Sequence, residues 1–175
     1  MVRKQQGFAL IDLLFVCGII GVLCSIALPR LLLARQAAGA ASAIASMRAI
    51  NSAELTYALT CGNGFYAPKL TTLAVPGPGS IEPYITPGLS SSDTVTKSGY
   101  SITLSGTAYG GAPQTCNGLG AGEGAQGYKA AADPNEPSNA RFFATNAGGI
   151  VYEDTGSLYA AIPEYGDPPT GHVLR

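Results

Sequence analysis

The sequence predicts an α+β protein in which one long N-terminal α-helix packs on a small antiparallel β-sheet. Three observations predict it: an unbroken apolar run from Phe8 to Leu28, a stretch rich in Ala, Leu and Met that continues it to Cys61, and short alternating segments with turn chemistry in the second half. The expected organisation is a polar leader over 1–7, a long helix over 8–61 whose part 8–28 is membrane-spanning, and a β-rich head over 62–175 with Gly/Pro-rich loops. In a chain of 175 residues this leaves enough sequence outside the membrane for one modest domain.

Residues 1–7, MVRKQQG, carry Arg3 and Lys4, which favour holding this end in the cytoplasm. At 1.5 Å per helical residue, Phe8 to Leu28 spans about 31 Å, the thickness of a bilayer core. Its one charge is Asp12. A carboxylate in hydrocarbon costs roughly 2.5–3.5 kcal/mol even on the lenient insertion scale, so an ordinary anchor gains nothing from it. The bland alternative is an acidic residue snorkelling toward headgroups at the edge of a signal anchor. Ser25-Ile26-Ala27 offers small residues for ordinary signal peptidase, but Pro29 and the helical pattern beyond it oppose cleavage there.

Beyond Pro29 the helical pattern persists, with Ile44, Met47, Ile50 and Tyr57 recurring at three- and four-residue steps, a stripe that needs a partner surface. Pro29 should kink or loosen this helix, and Gly18, Gly21 and Gly39 should soften it. Gly62 is the expected stop, as a left-handed C′ glycine. Cys17 and Cys24 lie about 10.5 Å apart along one helix, too far to bridge, and read as small apolar residues. Cys61 and Cys116 fall in the part expected outside the cytoplasm, where a disulfide persists and closes a loop of about 55 residues.

In the second half, Pro68 to Pro87 is turn-rich, and variable loops are expected over 62–99 and 105–127. Strands are expected at Tyr100–Leu104, Tyr128–Ala132, Arg141–Thr145 and Gly149–Tyr152, the last two joined by a hairpin turn at Asn146-Ala147-Gly148-Gly149. Ser157–Ile162 is expected as an edge strand, and the tail from Pro163 as coil.

Composition and motifs argue against catalysis. Charged residues make up only 12% of the chain, and beyond Cys61 five Lys and Arg face nine Asp and Glu, so no basic stripe exists for direct nucleic-acid binding. Gly122-Glu-Gly-Ala-Gln-Gly127 matches the dinucleotide fingerprint in letters, yet a glycine loop precedes it and a strand is expected after it. His172, the only histidine, has no second ligand at useful spacing. Asp93, Glu153 and Asp154 lack the spacing of a calcium loop. No catalytic residue, metal site or cofactor is expected.

A short basic leader ending in Gly7, then Phe8, an acidic residue at Asp12, an unbroken apolar run, Gly21 and Pro29 resemble the N-terminus of the type IV pilins and of the pseudopilins of type II secretion. The stretches SAIASMRAINSAELTYA and YKAAADPNEPSNARFFATNAGGIVY are also similar to the helix and sheet of major pilins. The resemblance implies the pilin fold, cleavage by prepilin peptidase between Gly7 and Phe8, and N-methylation of Phe8. It implies that Asp12 pairs with the N-terminal amine of a neighbouring subunit, although the family usually has Glu there, one methylene longer. Four helical steps place Asp12 about 6 Å along the axis from the Phe8 nitrogen, so a neighbour shifted by about one turn brings its amine to the carboxylate. Pairing in low dielectric turns that charge into a device for register.

The implied function is that of a structural subunit, not an enzyme. It waits in the bacterial inner membrane, N-terminus in the cytoplasm, and is assembled by a platform and ATPase machinery into a homo-oligomeric helical filament on the cell surface. The alternatives are a pseudopilin, whose filament is a short periplasmic piston, and a membrane-anchored periplasmic binding domain.

Overall fold

A computed structural model describes residues 10–174. Its first element, α1, is a continuous helix of 51 residues, Leu10–Thr60. The helix runs through Pro29 unbroken, although proline withholds one N–H from the ladder. By internal packing the chain divides between Ala37 and Ala38, and α1 contributes to both units.

In the unit from Ala38 onward, the Met47, Ile50 and Tyr57 stripe is completely buried, with Ala40, Ala43 and Ala53 beside it. It packs on a six-stranded antiparallel sheet: β1 (Thr94–Lys97), β2 (Tyr100–Ser105), β3 (Lys129–Pro134), β4 (Phe142–Asn146), β5 (Val151–Asp154) and β6 (His172–Val173). Every strand pairs with its sequence neighbour, so the sheet is a simple meander. The register explains which face each side chain takes, because opposed residues share a face. Val95, Ile102, Ala132 and Phe143 lie in one cross-strand row and belong to the core shared with α1. Ala131, Ala144 and Tyr152 lie in the adjacent row and face the other way.

That second face changes the reading of Ser157–Ile162. The segment is not an edge strand; it is a turn that lays Leu158 and Ile162 over Ala131, Ala144 and Tyr152. Its apolar residues are buried without any ladder pairing. The sheet edge goes instead to β6, within the tail expected as coil, where His172 pairs with Glu153 and Val173 with Tyr152.

The four expected strands stand, with ends shifted by one or two residues, and the hairpin turn is present: the Gly149 N–H donates to the Asn146 carbonyl at 2.8 Å. The region 62–99, expected to be loop, also holds β1 and the short helices α2 (Leu70–Leu73) and α3 (Pro87–Ser90). β1 and β2 are joined by Ser98-Gly99, both at positive φ (51° and 83°), the requirement of a type I′ turn. This turn packs against α1 at Gly39, where a Cβ would stand 2.8 Å from the Ser98 carbonyl. Gly39 is therefore a crossing point, not a softening of the helix.

The end of α1 departs from expectation in the same way. Gly62 is not at positive φ; the reversal falls on Asn63 (φ 52°) and Gly64 (φ 89°), whose N–H donates back to the Ala58 carbonyl. Gly62 is needed for space, since a Cβ there would collide with the Phe65 carbonyl and the Tyr57 ring.

Candidate functional site

Two places carry chemistry worth examining: the apolar part of α1, and the end of α1 inside the head. In the first, Ile11, Leu13, Leu14, Phe15, Val16, Ile19, Ile20, Val22, Leu23, Ile26, Leu28, Leu31, Leu32 and Leu33 are all largely exposed. None of this stretch is buried within the chain, and α1 is long and apolar enough to cross a membrane. Exposure of this extent marks a surface meant for lipid or another protein. Asp12 is exposed between Ile11 and Leu13. Gly18 helps to open a shallow groove between Leu14, Phe15, Ile19, Val22 and Leu23, and a Cβ on Gly21 would meet nothing within 4 Å beyond the helix's own backbone. Cys17 and Cys24 are free thiols on the same exposed helix. Gly7 and Phe8, the expected processing positions, lie outside the described residues.

At the other end of α1, Cys61 and Cys116 form the expected disulfide, with Cα atoms 4.8 Å apart. The Cys116 N–H donates to the Cys61 carbonyl at 3.1 Å, and Asn117 next to it donates through Nδ2 to the carbonyls of Thr72 and Val75. The glycine-rich loop after β2 is thereby fastened to both α1 and α2.

Sequence reasoning missed two polar residues on the buried side of α1. Asn51 Oδ1 accepts the Tyr128 hydroxyl at 2.8 Å and lies 2.9 Å from the Thr145 hydroxyl, while its Nδ2 donates to the Gly149 carbonyl at 3.0 Å. It thus ties α1 to β4 and to the β4–β5 turn. Glu54 is fully buried, and burial holds its carboxyl well above the usual carboxylate range. The signal for Glu54 was present, as an acidic residue falling on the Met47–Ile50–Tyr57 stripe. Burial also pushes the Tyr128 hydroxyl up, and pushes that of Tyr152 up to about 12 with help from its bond to Asp167.

The remaining candidates are dispersed. Asp93 pairs with Lys69 at 3.4 Å and accepts the Thr71 hydroxyl, which holds its carboxyl low. Glu153, four strands away, takes a two-pronged bond from Arg141, with His172 at 3.8 Å. Asp154 is bonded to the Thr155 N–H. Asp93 is thus far in the sheet from Glu153 and Asp154, and among the described residues no cluster of three His, Cys, Asp or Glu could hold a metal. Residues 122–127 form a turn leading into β3 and no helix follows, so the fingerprint lacks the context a dinucleotide needs.

These features define a class: an α+β protein whose long helix packs its second half on an antiparallel meander and leaves an apolar first half uncovered. The chain matches no protein-family model, no curated protein and no solved structure.

Proposed function

We propose that this chain is a structural subunit of a type IV pilus. In this reading prepilin peptidase cleaves after Gly7, Phe8 is N-methylated, and the span 8–28 holds the subunit in the bacterial inner membrane with its N-terminus in the cytoplasm. Assembly by a platform and its ATPase then transfers that helix from lipid into a helical surface filament, where the same side chains are buried against neighbouring helices. The chain is a substrate of the peptidase and methylase and performs no catalysis itself.

One observation carries the reading. The large apolar side chains from Ile11 to Leu33 are all exposed, and the single carboxylate among them, Asp12, stands four residues after the expected new N-terminus. An anchor needs the apolar surface but not the carboxylate. A polymer uses both, because a neighbour's amine at Asp12 offsets the cost of the charge only in one register.

Imaging surface filaments in a strain lacking this chain, alongside an exoprotein secretion assay, tests the proposal. Loss of filaments with secretion intact is the expected result. Loss of secretion with filaments unchanged would transfer the chain to the pseudopilins, and no change in either would contradict an assembly role.

A further inference from the structure

Glu54 lies on the buried stripe of α1 with its side chain wholly removed from solvent. Oε2 accepts the Ala67 N–H at 2.9 Å, and Oε1 has no hydrogen-bond partner. The titratable groups whose charge couples to it are Tyr57, on α1, and Tyr128, just before β3. Behind them stand the rings of Tyr84, edge-on to Tyr57 at 5.3 Å, and Tyr66, edge-on to Tyr128 at 5.1 Å. Neither facing phenol relieves the carboxylate. The Tyr57 hydroxyl donates to Asn117 Oδ1 and the Tyr128 hydroxyl to Asn51 Oδ1. Among the described residues no Lys, Arg or His forms an ion pair with Glu54. Among the described residues the Ala67 N–H is the one hydrogen-bond donor to the carboxylate, and without a cation beside it that bond does not offset the cost of a buried ion, which the neutral carboxyl avoids.

We propose that Glu54 is a proton-operated latch: protonated, it stays buried with segment 62–69 closed on α1 through the Ala67 N–H, and loss of the proton opens that segment to water, because the cost of a buried carboxylate outweighs its stronger bond to Ala67. The moving part is bounded at one end by the Cys61–Cys116 disulfide and at the other by α2, whose Leu70 and Leu73 are buried. Within those bounds Tyr66 exchanges two backbone hydrogen bonds with Ala125, and Ala125 also bridges Ala108. Release therefore passes from 62–69 to the glycine-rich loop after β2, and an acidic medium keeps both closed. The latch is independent of the filament reading, because every residue in it belongs to the unit from Ala38 onward.

The sign follows from linkage. A carboxyl whose pKa is higher in the folded chain binds its proton more tightly there, so its contribution is complete below the ordinary carboxylate range. It is lost as pH rises toward the folded value, by up to about tenfold in equilibrium constant per pH unit. Hydrogen exchange of the full chain in detergent micelles, read by mass spectrometry on peptides covering 62–69 from about pH 4 to about pH 8 and corrected for intrinsic exchange, measures this. Glu54→Gln retains an acceptor for the Ala67 N–H and cannot ionise. Protection in the native chain should fall by up to about tenfold per pH unit relative to that variant. Identical pH profiles for the two proteins would overturn the latch. Carbon-13 NMR of the native chain labelled at the Glu carboxyls gives an answer even if the variant does not fold: one carboxyl titrating above the others over the same pH range in which protection of 62–69 falls supports the proposal, and all titrating together in the ordinary range overturns it.

Discussion

Asp12, Asn51 and Gly62 each occupy a position where one side chain, or the lack of one, answers a local physical demand. Asp12 raises the cost of membrane insertion and, in the filament reading, repays it by fixing register. Asp12→Ala should therefore leave membrane insertion intact while lowering filament yield. Membrane fractionation beside filament counts by electron microscopy checks both, and a normal yield would remove this account of the charge. Asn51 satisfies polar groups from three places at once. Asn51→Leu should cost roughly 2–4 kcal/mol, seen in denaturant unfolding, because Tyr128 and Gly149 lose their partner and Thr145 one of its contacts. Asp12 was legible in the sequence because a charge in an apolar run is conspicuous against its neighbours. Asn51 was not, because an isolated polar residue on a helix reads as solvent-facing until the elements packed on it are known, whereas Glu54 could have been found from its place on the Met47–Ile50–Tyr57 stripe. Gly62 was recognised as a terminus but for the wrong reason, since the demand there is space for Phe65 and not backbone handedness.

At the level of elements, legibility followed length and periodicity. α1, β2, β3, β4 and β5 were readable because each has a sustained pattern or a strong turn signal beside it. β1 and β6 were not, having four and two residues. A signal for β1 existed in the turn-forming pair Ser98-Gly99, which takes two positive φ values between β1 and β2. Leu158 and Ile162 illustrate the opposite error: apolar spacing suited to a strand, satisfied by a turn that covers the back of the sheet. The disulfide was readable from compartment and spacing. It closes a separation of 55 residues, so replacing both cysteines by Ser should destabilise the head by roughly 4 kcal/mol on the chain-entropy account. Thermal unfolding of the double variant measures the loss, and a free-thiol assay on the non-reduced native chain should find Cys61 and Cys116 both unreactive.

Across the whole molecule, sequence and structure converge on an α+β architecture with an uncovered apolar helix at its N-terminal end, the pilin-like layout that the resemblance implied. Residues beyond Cys61 are net acidic, whereas Arg3, Lys4, Arg30 and Arg35 cluster around the apolar span. In the proposed reading, processing is chemistry performed on the chain by another protein, so its evidence lies in the covalent N-terminus and not in the packing. The central claim, that this helix is an assembly element released by prepilin peptidase, is tested most directly by mass spectrometry of the mature N-terminus. The account predicts a chain beginning at N-methylated Phe8; a chain that retains Met1, or one that begins at Leu28, would contradict it.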